Sequence, residues 1–174
     1  MSALLAASVL SLSAFAQDYT LQEGVIQAHT SVLGDSDISP QSTKVLGTLS
    51  KDASLESLKG NVSMKLYSLK SDNDKRDEHM YEALHAKENK ETSFRLESVK
   101  KQDDGYHIIG TLTLNNVEKP IDTKADIQEK ENQLNLKGDF QIKMTDFKIE
   151  PPTLLFLSVR DEVDVHYDLH FAGK

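Results

Sequence analysis

Strict alternation of apolar and polar residues dominates the second half of the chain. It runs through residues 134–144 and again through 163–171, with shorter versions at 62–66, 106–114 and 121–127. Successive side chains of a β-strand point to opposite faces, so a period of two predicts strands with one dry and one wet face. A chain made of many such strands needs one apolar interior that they share.

The arrangement of these strands is predicted from their number and their connections. About eight strands are visible, and short connections favour antiparallel neighbours. A closed barrel or a sandwich would both provide a common interior. Glycines inside the strands, at Gly47, Gly60, Gly110 and Gly138, favour a barrel because closure needs sharp bends. We therefore expect an all-β, eight-stranded antiparallel barrel with one short helix.

Two segments interrupt the alternation. Residues 75–87 consist largely of helix-forming residues, and Asp72 or Asp74 is a candidate cap. Pro151-Pro152 blocks regular strand pairing, and we expect the apolar residues 154–157 behind it to form a short buried turn or helix. Both segments are candidates to gate one mouth of the barrel.

The first 16 residues carry no charge and end in the small-x-small pattern Ala14-Phe15-Ala16. This composition predicts a secretory signal at residues 1–16, cleaved after Ala16, and a single domain at 17–174 that is periplasmic or secreted. No Lys or Arg precedes the apolar run, so the sequence leaves open whether Met1 is the true start. A buried N-terminal helix is the alternative.

The overall composition excludes several classes of function. The chain has 174 residues, a formal net charge of −8 and no cysteine. An acidic chain is a poor binder of nucleic acid, because phosphate contacts need clustered Lys and Arg. Without cysteine there is no disulfide, thiol nucleophile, thiolate metal site or lipoprotein anchor. No cofactor motif is present, and we expect neither a cofactor nor a stable membrane anchor.

Histidines supply the candidates for metal binding and catalysis. His166 and His170 share one face of the last strand, where they are weak candidates for zinc or copper ligands or members of a solvated outer face. His79 or His29 would be the base of a hydrolase or isomerase acting on lipid-like substrates. No nucleophile–base pair stands out, so we predict no catalytic residue.

The barrel interior is the strongest functional feature. Trp is absent, and many of the inward residues are of modest size, which favours a cavity that holds one ligand over a solid core. Such a cavity suits an extended hydrocarbon. The alternative is a filled barrel that meets a partner protein through its acidic surface. Candidate cavity residues are Val62, Met64, Leu66, Phe94, Leu96, Ile108, Leu112, Leu114, Leu134, Leu136, Phe140, Ile142, Val163, Val165 and Tyr167.

Four stretches of the sequence resemble the YceI-like family of bacterial lipid-binding proteins. They are Arg76-Asp77-Glu78-His79-Met80, Thr92-Ser93-Phe94, residues 110–120, and residues 146–149 followed by 159–163. The resemblance implies a lipocalin-like barrel with a helix beside it and a polyisoprenoid or other long-chain amphiphile inside, often in the periplasm. It brings no catalytic residue, and it implies a structural role for Arg76, Asp77 and His79.

The chain departs from the family pattern at the turn residue Asn116, which replaces Gly, and at Asn89-Lys90, where Tyr-Pro is common. The identity of the lipid and the oligomeric state, with a homodimer as one alternative, stay open at this point.

Overall fold

The computed structural model describes residues 16–32, 36–154 and 157–174. Except for Ala16, the predicted signal segment lies outside the described residues. Within these described ranges there is one α-helix, α1 (Asp74–Ala83), and there are 3₁₀ turns at Leu55–Ser57, Leu66–Ser68 and Thr145–Phe147. The strands are β1 (Gln17–Val32), β2 (Ser36–Ile38), β3 (Gln41–Ser42), β4 (Val45–Lys51), β5 (Lys59–Lys65), β6 (Glu91–Gln102), β7 (Gly105–Leu114), β8 (Val117–Lys130), β9 (Gln133–Lys143), β10 (Thr153–Leu154), β11 (Leu157–Ser158) and β12 (Glu162–Gly173).

The long strands form a closed antiparallel barrel of eight strands, which confirms the predicted fold class. Around the barrel they run in the order β4-β5-β6-β7-β8-β9-β12-β1, and β1 pairs with both β12 and β4 to close the sheet. The short strands β2 and β3 pair with β1, and β10 pairs with β11 in a separate ladder. Closure gives the alternating residues a common interior and leaves the long strands without a free edge.

The hairpin between β7 and β8 shows why an Asn can replace the family's usual Gly. Asn115 and Asn116 both have positive φ, 50° and 56°, as a tight hairpin turn requires. Asn tolerates this left-handed region better than other non-glycine residues. The Asn115 side-chain amide also donates to the carbonyl of Phe147 at 2.9 Å, which ties the turn to the 3₁₀ turn beside it.

The helix is shorter than the sequence predicts, and its cap is a different residue. The helix α1 ends at Ala83, and His85 then adopts a left-handed φ of 51°, so the predicted extension to Lys87 is wrong. The cap is Asn73, whose side chain accepts a hydrogen bond from the Arg76 backbone N–H at 3.1 Å. The prediction of Asp72 or Asp74 as cap is wrong, because Asn73 has the extended backbone of a cap and its side chain satisfies that free N–H.

The segment after Pro151-Pro152 contains the short ladder β10–β11, in which Thr153 pairs with Ser158 and Leu154 with Leu157. The two ends of the predicted turn or helix are therefore paired as strands. Residues 155–156, part of the predicted apolar run, lie outside the described residues. The proline pair, which lacks two backbone donors, lies in the excursion that begins after β9 ends at Lys143. The chain returns to the barrel at Val159, which bridges to Val32.

The apolar residues form two clusters along the barrel axis. One cluster contains Tyr19, Leu134 and Phe171 and fills one end of the barrel, which we call the closed end. The other contains Leu66, Leu112 and Phe147 and lies beneath α1, at what we call the open end. In the described part of the chain, none of the helices has the length and apolar character needed to cross a membrane.

Candidate functional site

A cavity of about 1260 Å³ occupies the barrel between its two ends. On β12 its lining extends from Val163 to Leu169, about 20 Å along the strand at ~3.3 Å per residue. Exposed residues enter the lining only near α1 and the 148–153 segment, for example His85 and Lys148. The cavity is therefore a pocket that is entered from the open end.

The structure brings most of the predicted cavity residues together. The following line the cavity: Val62, Met64, Leu66, Phe94, Leu96, Ile108, Leu112, Leu114, Leu136, Phe140, Ile142, Val163, Val165 and Tyr167. Leu134 does not line it, because its fully buried side chain packs in the closed-end cluster below the cavity floor. The binding role of the lining residues stays a prediction.

The sequence interpretation missed the contribution of β1. Ile26, Ala28, Thr30 and Val32 all line the cavity. Their alternate spacing was a visible signal of a common face, but Gly24 precedes it and the register against β12 shifts between Leu21 and Glu23. That irregularity breaks the phase of β1, so the strand does not show one continuous alternation.

Two threonine hydroxyls on the cavity wall are satisfied by the barrel itself. The Thr30 hydroxyl donates to the carbonyl of Glu162 at 3.0 Å, and the Thr92 hydroxyl donates to that of Thr113 at 2.8 Å. Both residues line the cavity. A hydroxyl that donates to the backbone has no donor left to offer a ligand. These two residues therefore behave as part of an apolar wall.

The closed end is sealed by large side chains and one polar network. Tyr19 and Phe171 are almost completely buried, and the Tyr19 hydroxyl donates to Glu129 Oε1 at 2.6 Å. Lys51 forms an ion pair with the same carboxylate. The hydrogen bond from Lys51, followed by that from Tyr19, lowers the pKa of Glu129 and keeps the carboxylate charged beside the seal.

The open end is covered by α1, which is held by a buried carboxylate. Asp77 accepts a hydrogen bond from the Ser71 backbone N–H at 2.8 Å and lies 3.6 Å from the Lys70 ammonium. Burial by itself would raise the pKa of Asp77, but the Ser71 and Lys70 contacts outweigh it and the pKa lies below its usual value. Arg76 pairs with Asp72 rather than with Asp77. Asp77 is thus the residue of the motif Arg76-Asp77-Glu78-His79 that holds α1 in place.

The other two residues of the motif lie at the mouth of the cavity. Arg76 and His79 belong to its lining, and His79 is exposed. Lys148 and the carboxylates of Glu82 and Glu150 are also part of this rim. The charged lining residues are concentrated at the mouth, whereas the deeper wall consists mainly of aliphatic and aromatic side chains.

The candidate metal ligands lie on the opposite side of the wall from the cavity. His166 Nδ1 is 2.7 Å from Asp139 Oδ1, and His170 Nδ1 is 2.9 Å from Asn135 Oδ1. Within residues 16–32, 36–154 and 157–174, no group of three or more His, Asp or Glu residues is arranged to hold a metal. The two histidines therefore have separate partners on β9, and His170 Nε2 also lies 3.1 Å from Asp168 on its own strand.

The candidate base His29 is also outside the cavity lining. Its Nδ1 lies 2.8 Å from the Ser39 hydroxyl, and its Nε2 lies 3.9 Å from Asp37. Both partners belong to the segment around β2. His29 is therefore engaged with the outer surface of the barrel near the mouth.

Comparison with known families and sequences gives one consistent result. Residues 19–171 match the profile of the YceI-like domain, which confirms the resemblance seen in the sequence. A UPF0312 protein of Serratia proteamaculans is 33% identical over 99 residues, and one of Pectobacterium atrosepticum is 35% identical over 99 residues. In both cases the match covers 52% of this chain and 52% of the relative, so the chain matches about half the length of these curated relatives.

Solved structures share the fold at low sequence identity. Burkholderia cenocepacia BcnA superposes with a TM-score of 0.74 at 14% identity, covering 84% of this chain and 95% of that chain. A polyisoprenoid binding domain from Saccharophagus degradans, implicated in plant cell wall breakdown, has a TM-score of 0.71 at 13% identity, covering 90% of this chain and 98% of that chain. At these identities the likeness shows the barrel fold.

Proposed function

The chain belongs to the YceI-like domain family, and from that premise we propose that it is a periplasmic or secreted protein that binds a polyisoprenoid or similar long-chain amphiphile in its barrel. The observation that carries the proposal is the apolar cavity of about 1260 Å³. The polyisoprenoid binding domain with the same fold supports this ligand class.

The energetics of the cavity favour a long apolar chain. Each buried methylene contributes about 0.8 kcal/mol, so a tail of ~15 carbons gains ~12 kcal/mol before costs. Association and ordering of the chain remove much of this gain. The remainder is still compatible with tight binding that needs no charged contact inside. A polar head would lie at the mouth, beside residues such as Arg76 and Lys148.

Binding without turnover is the chemistry that this arrangement supports best. His29 does not line the cavity, and His79 is exposed at the rim, far along the barrel from the floor. A base needs to be within hydrogen-bond reach of the proton that it removes. The apolar chain itself would lie against carbon-rich side chains that offer no such group.

The proposal is tested by asking whether the protein carries and takes up lipid. Material purified from its natural host is extracted with organic solvent, and mass spectrometry is expected to find a long-chain amphiphile at a stoichiometric level. Delipidated protein is expected to take up added isoprenoids. Finding no lipid in the extract and no uptake would overturn the proposal.

A matched pair of variants locates the uptake in the cavity. Leu112→Asp places a carboxylate on the cavity wall and should abolish uptake, since an unpaired charge is costly in an apolar site. Leu46→Asp makes the same change at a side chain that is 71% exposed and should leave uptake as in the wild type. If Leu112→Asp prevents folding, Ala28→Phe narrows the cavity without a buried charge and should lower the amount of lipid bound.

A further inference from the structure

One large residue and two small residues lie side by side on three neighbouring strands, in the wall around the inner part of the cavity. Tyr167 on β12 is paired with Gly138 on β9, and Gly138 is paired with Ala125 on β8. Tyr167 lines the cavity, whereas Gly138 and Ala125 are not part of the lining. The large ring therefore stands between the cavity and the two small residues.

The Tyr167 side chain lies directly over Gly138. A Cβ atom on Gly138 would be 2.4 Å from the Tyr167 hydroxyl oxygen and 2.8 Å from Cζ, closer than non-bonded atoms can approach. The absence of a side chain at Gly138 is thus what allows the ring to lie across β9 towards β8. Tyr167 is only 6% exposed, so it fills this space almost completely.

Packing, rather than hydrogen bonding, holds the ring in this position. The Tyr167 hydroxyl is buried and has no hydrogen-bond partner among the described residues. Burial raises the pKa of this phenol, and nearby Asp139 raises it further, so the hydroxyl stays neutral. The ring also contacts the aromatic wall, with its centroid 6.3 Å from that of Phe140.

The position of Tyr167 along the strand places it near the inner limit of the cavity. On β12 the lining ends one inward residue further, at Leu169, and the next inward residue, Phe171, is sealed in the closed end. On β9 the lining ends at Leu136, and Leu134 is sealed in the same way. Leu169 and Leu136 thus form the floor of the cavity, and the Tyr167 ring lies beside this floor, on the side of β8.

We propose that Tyr167, seated on Gly138, sets the inner limit of the cavity and thereby the chain length of the amphiphile that fits best. The inference rests on the proposed function, since it assigns a specificity-determining residue to the same site. A chain that enters from the mouth is stopped on the β8 side by the ring and elsewhere by the floor. Removing the ring opens the space over Gly138 and Ala125 to the end of the chain.

The experiment measures the length preference directly. Delipidated wild-type protein is offered a mixture of linear isoprenoid alcohols that increase in single isoprene steps from farnesol upward, and the retained lengths are quantified by mass spectrometry. Tyr167→Ala removes about seven non-hydrogen atoms from the wall, so the preferred length should increase by about one isoprene unit. Tyr167→Leu keeps part of the apolar volume and should give a smaller shift in the same direction.

Two further variants separate the role of the ring from a general loss of packing. Val163→Ala enlarges the cavity at the mouth, at another inward-pointing residue of β12. It should lower the retention of chains of all lengths without changing the preferred length. Gly138→Ala adds a methyl group that meets the ring and also lies 2.9 Å from the Lys124 backbone carbonyl on β8. In folded protein, the ring is displaced into the cavity and the preference should move to shorter chains.

The possible results separate the two proposals. A wild-type protein that retains no isoprenoid, and whose host extract contains no long-chain amphiphile, overturns the proposed function. A wild-type protein with a clear length preference, and Tyr167 variants with that same preference, overturns the present inference and leaves the proposed function in place. If Tyr167→Ala does not fold, the result for Tyr167→Leu decides between these outcomes.

Discussion

The closed and open ends of the barrel have the same alternation of apolar and polar residues, but the closed end is filled and the open end is hollow. At the closed end, Tyr19, Leu134 and Phe171 each expose 2% or less of their surface and fill the axis. At the open end, the inward residues line a cavity of about 1260 Å³ beneath α1. Inward-pointing residues thus form a solid core at one end and the wall of a pocket at the other.

The difference shows that side-chain size and the covering segments, and not the period, decide whether a barrel is filled. Large residues from opposite walls meet at the closed end, and the Tyr19–Glu129 hydrogen bond adds a polar seal there. At the open end, α1 and the turn at Thr145–Phe147 pack on the rim and leave the axis free. The stability of the two ends should therefore respond differently to the same substitution.

The largest expected difference comes from shortening one leucine at each end. Leu134→Ala leaves a void in a filled core and should lower the free energy of unfolding by about 3 kcal/mol. Leu112→Ala removes a side chain that already borders a cavity, so the loss should be roughly half as large. Urea unfolding of delipidated protein measures both values. Equal losses would show that the two ends are packed alike.

A second prediction concerns the carboxylate that anchors α1 at the open end. Asp77→Ala leaves the half-buried Ser71 N–H without its acceptor and should cost about 1 kcal/mol, with faster amide hydrogen exchange in α1. Asp77→Asn keeps an acceptor for Ser71 and should cost less.

The same carboxylate should make the open end sensitive to acid. Folding lowers the pKa of Asp77 below its ordinary value of 3.8. Its contribution to stability is therefore fully present above pH 3.8 and is lost as the pH falls through the lowered pKa of the folded protein. Unfolding measured between neutral pH and about pH 2 should show a shallower acid loss in Asp77→Asn than in the wild type. Parallel curves for the two proteins would contradict this role.

The smallest effect on stability is expected from His107, on the outer wall near the closed end. Its pH dependence has the opposite sign to that of Asp77. His107 contacts Asp122 at 3.0 Å and Asp104 at 3.2 Å; the hydrogen bond to Asp122, helped by Asp104, raises the pKa of His107 above 6.5. Its contribution is therefore complete below pH 6.5 and is lost as the pH rises through the raised pKa. An NMR titration should show a lower His107 pKa in Asp122→Asn than in the wild type, and an unchanged value would refute the assignment.

Several residues show which features of the structure the sequence could predict. The alternation at 134–144 and 163–171 predicted β9 and β12 and the inward side of each, because a strand places every second side chain on one face. The same pattern could not distinguish Leu134 from Leu136, since both point inward and only the distance to the opposite wall separates the sealed residue from the lining residue. The end of α1 was missed because it depends on the left-handed conformation of His85, a residue type that helices also accept.

The sequence alone determines which side chains point inward, because the two-residue period of a strand is a local property of the backbone. It also carries the four stretches on which the resemblance to the family rests. Where the interior is hollow depends on volumes contributed by strands that are far apart in the chain. Only when β12, β9 and β8 pair in one register do Tyr167, Gly138 and Ala125 become neighbours. The sequence by itself therefore does not show that a large ring lies beside two small residues.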